Sequence, residues 1–480
     1  MFPLSKIASS RPSRDAAAMR AAMSVPRRPF LSAPVIAAFS GLVFAAPLAH
    51  AGQGLYLDVL AYMPSASMTI DSVQCMDGSP QPVLMQRQYV EASDAWSCLY
   101  TPSTFSLSIW SAARKVASYA VTVSAWGSRV ESTGGDPAYL SIATMYPRFG
   151  VLGSQDVLNI SSTDLDLASW MQGVNPSLQI RQLDLPGTHD SGTSDIEARS
   201  PVTPDASPAI ARAAEIAPGL IAGWSRAQSV DVAGQLQRGI RYLDLRLCGG
   251  SDVDTIVTCH AMAGQSFTDV VGQVKAFVSA HPTELVIMDM NHWYPAPGTE
   301  LNVMRNSVYQ YLQAQLGPML AGRDHYDPSS TLGTLQTARR TVIAATDQPM
   351  GYAFLWTSVN TTNIGKCGAS TDICSYWPES AQLDQQKQRL TAVLDDLRSR
   401  PHPYLFVLQT QLTPDLDTIL KGLGDGKYSD LKGFTGSYEY GMRWYLDTPH
   451  LFDGLSGLIF IQDFSNGIDL THRVTSMMGS

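Results

Sequence analysis

From about Leu165 onward the sequence alternates short apolar runs with apolar stripes at helical spacing, and this alternation restricts that part of the chain to a parallel α/β fold. Phe267, Val270, Val271, Val274, Phe277 and Val278 share one face of a helix, which His281-Pro282 stops. Residues 285–290 then read as a strand. Further helices are predicted over 301–316 and 382–398, and buried strands over 340–345, 404–409 and 457–462. A TIM-type (β/α) barrel, with room for irregularity, is the architecture that uses such units over residues 164–480, because these barrels take about 250 residues or more. The Ala/Pro-rich stretch 201–218 reads as a surface excursion.

Residues 52–163 have a different texture. Short β-type runs at 55–60, 104–110 and 118–126 are separated by Gly, Pro, Ser and Asp, and Phe105, Leu107, Ile109 and Tyr119, Val121, Val123 keep a period of two. The pattern predicts a small antiparallel β-sandwich of unknown role, with Cys75 and Cys98 bridged. No histidine lies between Gly52 and Gly150, so nothing in it looks chemical.

Residues 1–51 read as an export signal. Arg27 and Arg28 precede an apolar stretch that ends in Ala49-His50-Ala51, which predicts cleavage before Gly52. The string from Arg27 to Leu31 is similar to a twin-arginine signal. The apolar stretch is shorter than the ~20 residues that span a bilayer, and no later stretch is long enough, so stable membrane insertion is not expected. Secreted or periplasmic location fits the six cysteines. Cys75, Cys98, Cys248, Cys259, Cys367 and Cys374 fall into three sequence-local couples, and local pairing is the simplest of the connectivities open to them. Lys and Arg number 33 against 42 Asp and Glu, a net charge of −9, which argues against a basic surface for nucleic acid.

Polar residues gather where the apolar runs end. Pro186-Gly187-Thr188-His189-Asp190-Ser191-Gly192 follows one run, Asp244-Leu245-Arg246 another, His260 a third and Asp463 the last. In a parallel barrel the C-terminal strand ends share one mouth, where these residues can converge. Two histidines, an arginine and carboxylates suit phosphodiester chemistry: one ring accepts a proton from an attacking hydroxyl, the other donates one to the leaving oxygen, and a guanidinium meets two phosphate oxygens. His281, His325, His402 and His450 read as surface or loop residues.

The run Leu185 to Gly192, then Gln235-Leu236 with Gly239-Ile240-Arg241-Tyr242-Leu243-Asp244-Leu245-Arg246, then His260 and His281-Pro282-Thr283-Glu284, resembles the X-domain of phosphatidylinositol-specific phospholipase C, in particular its bacterial, secreted branch. Phe460-Ile461-Gln462-Asp463-Phe464 is similar to that branch's last strand. The resemblance covers about residues 175–470. It implies His189 as general base for the inositol 2-hydroxyl, Asp463 as the carboxylate supporting its imidazolium, His260 as general acid with Asp190 beside it, Arg246 on the phosphate and Asp244 supporting that arginine. The implied products are diacylglycerol and a cyclic inositol phosphate, formed from a phospholipid at a membrane surface. Asp289, Asn291 and His292 are candidate substrate-binding residues. Neither metal nor cofactor is expected, because Arg246 stands where the calcium-dependent branch has an acidic residue.

The chain departs from the bacterial pattern in the inositol contacts. Ala344-Ala345-Thr346-Asp347 offers no arginine after one strand, and Gln409-Thr410-Gln411 no tyrosine after another. Two alternatives therefore stand beside phosphatidylinositol cleavage: the same mechanism on a different phosphodiester, and a non-catalytic binding protein on the same scaffold.

Overall fold

The computed structural model describes residues 54–93, 95–98, 101–124, 127–135, 139–145, 155–349, 351–359, 367–368, 370–399 and 402–479. The expected export signal, 1–51, lies outside the described residues.

Eight strands close a parallel barrel: one (Leu185–Thr188), two (Tyr242–Gly249), three (Val286–Pro295), four (Val342–Thr346), five (Phe354–Val359), six (Ile373–Tyr376), seven (Leu405–Gln409) and eight (Leu458–Gln462). Each pairs in parallel with the next, and strand one pairs with both two and eight. Strands one, four and six are buried at every position, as expected for strands covered on both faces. The predicted helices appear as Phe267–Ala280, Leu301–Leu316 and Leu383–Ser399. Strands five and six, and the short helices Pro208–Ile216 and Pro218–Ser225 within and after the surface excursion, were not anticipated.

The segment ending at His260 is not the third barrel strand. Val257–His260 and Met262–Ser266 form a hairpin that pairs antiparallel with the end of strand two, and residues 286–295 take the third barrel place. Glycines permit its close approach to the loop after strand one. A Cβ on Gly192 would meet the Thr258 side chain at 2.4 Å, and one on Gly264 would meet the Gly192 carbonyl at 2.3 Å. Thr258 Oγ1 and the Gln265 amide both donate to that carbonyl, at 2.7 and 2.9 Å.

Cys248–Cys259, Cys75–Cys98 and Cys367–Cys374 are bridged as local couples. For the first of these, alternation along parallel strands requires the chain to leave strand two after Arg246. It does not leave: the strand runs on to Gly249. The hairpin removes the difficulty, because antiparallel pairing of Cys248 with Val257 and Leu247 with Thr258 brings Cys259 to the Arg246 and Cys248 side.

Before the barrel, two sheets enclose a core of Leu55, Leu57, Val59, Phe105, Leu107, Ile109, Tyr119, Val121 and Val123, so the period-two pattern marks the inward faces. One sheet orders Ala66–Gln74, Ser103–Ser111, Arg114–Val123 and Arg129–Gly135. The other orders Met76–Asp77, Arg87–Ala92, Gly54–Tyr62, Gln155–Thr163 and Tyr139–Met145. The sandwich is mixed rather than antiparallel, since Gly54–Tyr62 and Gln155–Thr163 run parallel. Its first and last strands lie side by side, joined through all the others.

Candidate active site

The loop that opens the site leaves strand one at Thr188. Gln235, buried, accepts from Thr188 Oγ1 at 2.7 Å and donates to the Ser191 carbonyl at 2.7 Å, which explains the Gln235-Leu236 motif as a buttress. Within this loop Asp190 has φ 45°, a left-handed conformation that Asp tolerates better than most residues. Its amide donates to Asp244 Oδ2 at 3.2 Å and the Ser191 amide to the Asp244 carbonyl at 2.8 Å, so strand two holds the turn.

His189, next to strand one, has its Nδ1 2.7 Å from Asp463 Oδ1 at the end of strand eight. Gln228 Nε2 donates to the carbonyls of His189 and Gln462, at 2.7 and 2.9 Å, and so clasps the two strand ends together. The other ring nitrogen, Nε2, lies 3.2 Å from Arg246 Nη2, 3.5 Å from Asp190 Oδ2 and 4.0 Å from Asp244 Oδ2. Burial opposes the charged ring, but Asp190 and Asp463 outweigh it and raise His189 to about 9.

Arg246 arrives from strand two. Strand three carries one extra residue opposite it, Asn291, because Leu245 pairs with Met290 while Arg246 pairs with His292. Arg246 Nε lies 2.8 Å from Asp190 Oδ1. Burial disfavours the Asp190 carboxylate, yet Arg246 and the histidines around it hold it below the ordinary range.

His260 closes the cluster from the hairpin, its Nδ1 2.9 Å from the Ser225 carbonyl and 3.7 Å from Asp190 Oδ2. A bond to a carbonyl requires the proton on Nδ1, which leaves Nε2 for a reacting group. Ala261, the next residue, has φ 61°. Asp205 and Thr203 hold that turn: the Ala261 amide donates to Asp205 Oδ2 at 2.6 Å, and its carbonyl accepts from the Thr203 amide at 3.1 Å.

The three strand-three candidates divide. Asp289 is fully buried, accepts from Tyr242 Oη, and has its carboxyl pushed well above the usual range by burial. Asn291 Nδ2 donates to Asp244 Oδ1 and, at 3.2 Å, to Asp289 Oδ2. His292 is exposed, donates from Nδ1 to Asn291 Oδ1 at 2.5 Å, and lies parallel to the Tyr294 ring and edge-on to Trp356. Glu284, from the His281-Pro282-Thr283-Glu284 motif, is far from this chemistry: it forms a fully buried ion pair with Arg241 at 2.6 Å.

Thus His189, Asp190, Asp244, Arg246, His260 and Asp463 stand together at one barrel mouth, with Asn291 and His292 beside them. Sequence reasoning missed Asp205, Ser225 and Gln228. Ser225 acts through a carbonyl that any residue carries, whereas Asp205 and Gln228 lie in stretches with no periodic signal. His189, Asp190 and Asp244 offer atoms within 4.8 Å of one another, a grouping able to attract a cation, and the Arg246 guanidinium supplies a positive charge there.

Residues 221–348 match the family described as phosphatidylinositol-specific phospholipase C, X domain. The matched segment spans strands two to four of the barrel, which is similar to that X domain. The chain is similar to human PI-PLC X domain-containing protein 2, 28% identical over 300 residues that cover 61% of this chain and 90% of the relative. It is also similar to the variant-surface-glycoprotein phospholipase C of Trypanosoma cruzi, 30% identical over 139 residues, 26% of this chain and 37% of that protein. Among solved structures, the phosphatidylinositol-specific phospholipase C from Listeria monocytogenes is 12% identical, with a TM-score of 0.46 over 65% of this chain and 98% of that one. Among the described residues no helix is long and apolar enough to cross a membrane.

Proposed function

We propose that this protein is a phospholipase C that cleaves phosphatidylinositol-type lipids by two-histidine acid/base catalysis. The family supports phospholipase C-type chemistry at a membrane lipid. One observation carries the finer reading: two histidine rings and the Arg246 guanidinium converge on the buried Asp190 carboxylate, and one of those rings, His189, is backed by a second buried carboxylate, Asp463.

Arg246 receives the phosphate with directed hydrogen bonds and offsets its charge. His189 Nε2 takes the proton of the inositol 2-hydroxyl as that oxygen bonds to phosphorus, and Asp463 stabilises the imidazolium that forms. The bond from phosphorus to the diacylglycerol oxygen breaks, and His260 Nε2 gives that oxygen its proton. Diacylglycerol leaves, with a cyclic inositol phosphate as the other product. Because the nucleophile belongs to the substrate, attack gains the rate advantage of an intramolecular reaction. Water then opens the ring with the two histidines in exchanged roles.

A second reading keeps the chemistry and changes the headgroup. Asp347, at the end of strand four, pairs with Arg305 at 2.7 Å, so that position presents a carboxylate already engaged and no arginine for inositol hydroxyls. Three disulfides support a secreted protein, exported through the 1–51 leader. The test is release of diacylglycerol from vesicles of phosphatidylinositol and, separately, of other phospholipids. Release from phosphatidylinositol that disappears in His189→Ala supports the first reading, and release only from another lipid supports the second.

A further inference from the structure

Asp463 is followed by Phe464, whose φ of 49° is a left-handed conformation that a bulky side chain rarely adopts. Such a residue persists only when its surroundings hold it. On one side the barrel supplies the hold: the Phe464 amide donates to the Ala227 carbonyl at 2.7 Å, and Ser465 Oγ donates to the Gly187 carbonyl at 3.0 Å. On the other side it comes from the N-terminal sandwich. Tyr139 Oη donates to the Phe464 carbonyl at 3.1 Å, and Asn466 Nδ2 donates to Ser161 Oγ at 2.8 Å, both in buried surroundings.

Tyr139 and Ser161 are direct cross-strand partners in their sheet, so the two contacts form one grip on the 463–466 turn. The grip is packed. Tyr139 clusters with Leu167 and Ile468, and the Arg238 guanidinium lies 5.6 Å from its ring centre. A second contact, Tyr62 Oη to Asp469 Oδ1, with Tyr62 stacked on His472, ties the same sheet to the helix Gly467–Gly479 that follows.

We propose that the N-terminal β-sandwich is a positioning part of the active site: the Tyr139–Ser161 pair fixes the 463–466 turn and, through it, the Asp463 carboxylate on His189. This rests on the reading of His189 as general base. Neither Tyr139 nor Ser161 touches substrate; they act through the main chain and the Asn466 side chain.

The test uses the full chain with Tyr139→Phe, Ser161→Ala and the pair combined. Vesicle assays are expected to give kcat lowered about 10- to 100-fold in the double variant, the range associated with misplacing a catalytic group by about 1 Å, with KM within about twofold. Thr69→Ala, on the exposed far sheet, is the control and retains wild-type kcat. His189 is faced by Asp463 from strand eight, Asp190 from its own loop, and Asp244 and Arg246 from strand two. Its titration, followed by NMR without substrate, is expected to move to lower pH in the double variant. Wild-type kcat together with an unchanged His189 titration in a folded double variant overturns the proposal. If the wild-type chain cleaves no lipid, the functional reading fails, and the NMR titration alone decides whether the sandwich positions Asp463.

Discussion

His189 Nδ1 and Asp463 Oδ1 meet at 2.7 Å although 274 residues separate them, because strands one and eight are neighbours in the closed barrel. Asp190 at the other ring nitrogen and this carboxylate together outweigh burial and stabilise the protonated ring, so His189 is raised to about 9 and its basic form grows as pH rises toward that value. In the wild type kcat/KM should climb along this limb. Asp463→Asn removes the negative charge, so the limb moves to lower pH while the plateau drops on the order of 10²- to 10⁴-fold. A pH–rate profile of both proteins checks it; superimposable limbs would remove Asp463 from the site.

His260→Ala should lower turnover by a similar ~10²- to 10⁴-fold, since the leaving oxygen loses its proton donor. A substrate with a leaving group that needs no protonation should recover most of this loss, which a chromogenic inositol phosphodiester measures. His189→Ala should gain no such recovery.

Asp205 supports the His260 turn without reaching the reacting centre. Asp205→Ala leaves the Ala261 amide without its partner, and at φ 61° Ala261 has little reason to hold its conformation. Activity is expected to fall about tenfold or more with lipid binding retained. Equal kcat values in variant and parent would show that the hairpin holds His260 unaided.

Arg246 supplies the positive charge at the mouth, so exhaustive chelation should leave activity intact, while Arg246→Ala should lower it at least ~10²-fold. Loss on chelation with recovery in Ca²⁺ would overturn the arginine's role and make the neighbouring carboxylates a cation site.

Glu284→Ala should act on stability rather than on chemistry. It leaves Arg241 buried and uncompensated, a loss of about 3–5 kcal/mol. A denaturant midpoint near that of the parent would contradict the assignment.

The barrel and the gathering of polar residues at its mouth were legible because each depends on local signals. The stripe from Phe267 to Val278 has the period of a helix, and His189 and Asp463 stand beside strand ends, where a parallel barrel exposes them, with Arg246 reaching the same mouth from within strand two. His260 does reach the mouth, but on an element other than the one expected: Val257–His260 is four residues long, and a run so short does not reveal whether it pairs parallel or antiparallel. The sandwich pattern disclosed its inward faces through Phe105 and Tyr119, yet the parallel pairing of Gly54–Tyr62 with Gln155–Thr163 joins strands at its two ends, which periodicity cannot express. Asp205 and Gln228 were invisible for another reason: they act on the site through main-chain groups distant in sequence, the Ala261 amide and the His189 carbonyl.

The seam between strands one and eight makes the proton-accepting pair dependent on the completeness of the fold. A nascent chain still lacking Leu458–Gln462 already holds His189, Arg246 and His260, but has neither the closing strand nor the carboxylate that supports the base. Opening that seam in the finished protein likewise parts Asp463 from His189 while the other barrel pairings stay joined. The site is thereby its own report on barrel closure, and under the proposed function cleavage is confined to molecules whose first and last strands have met.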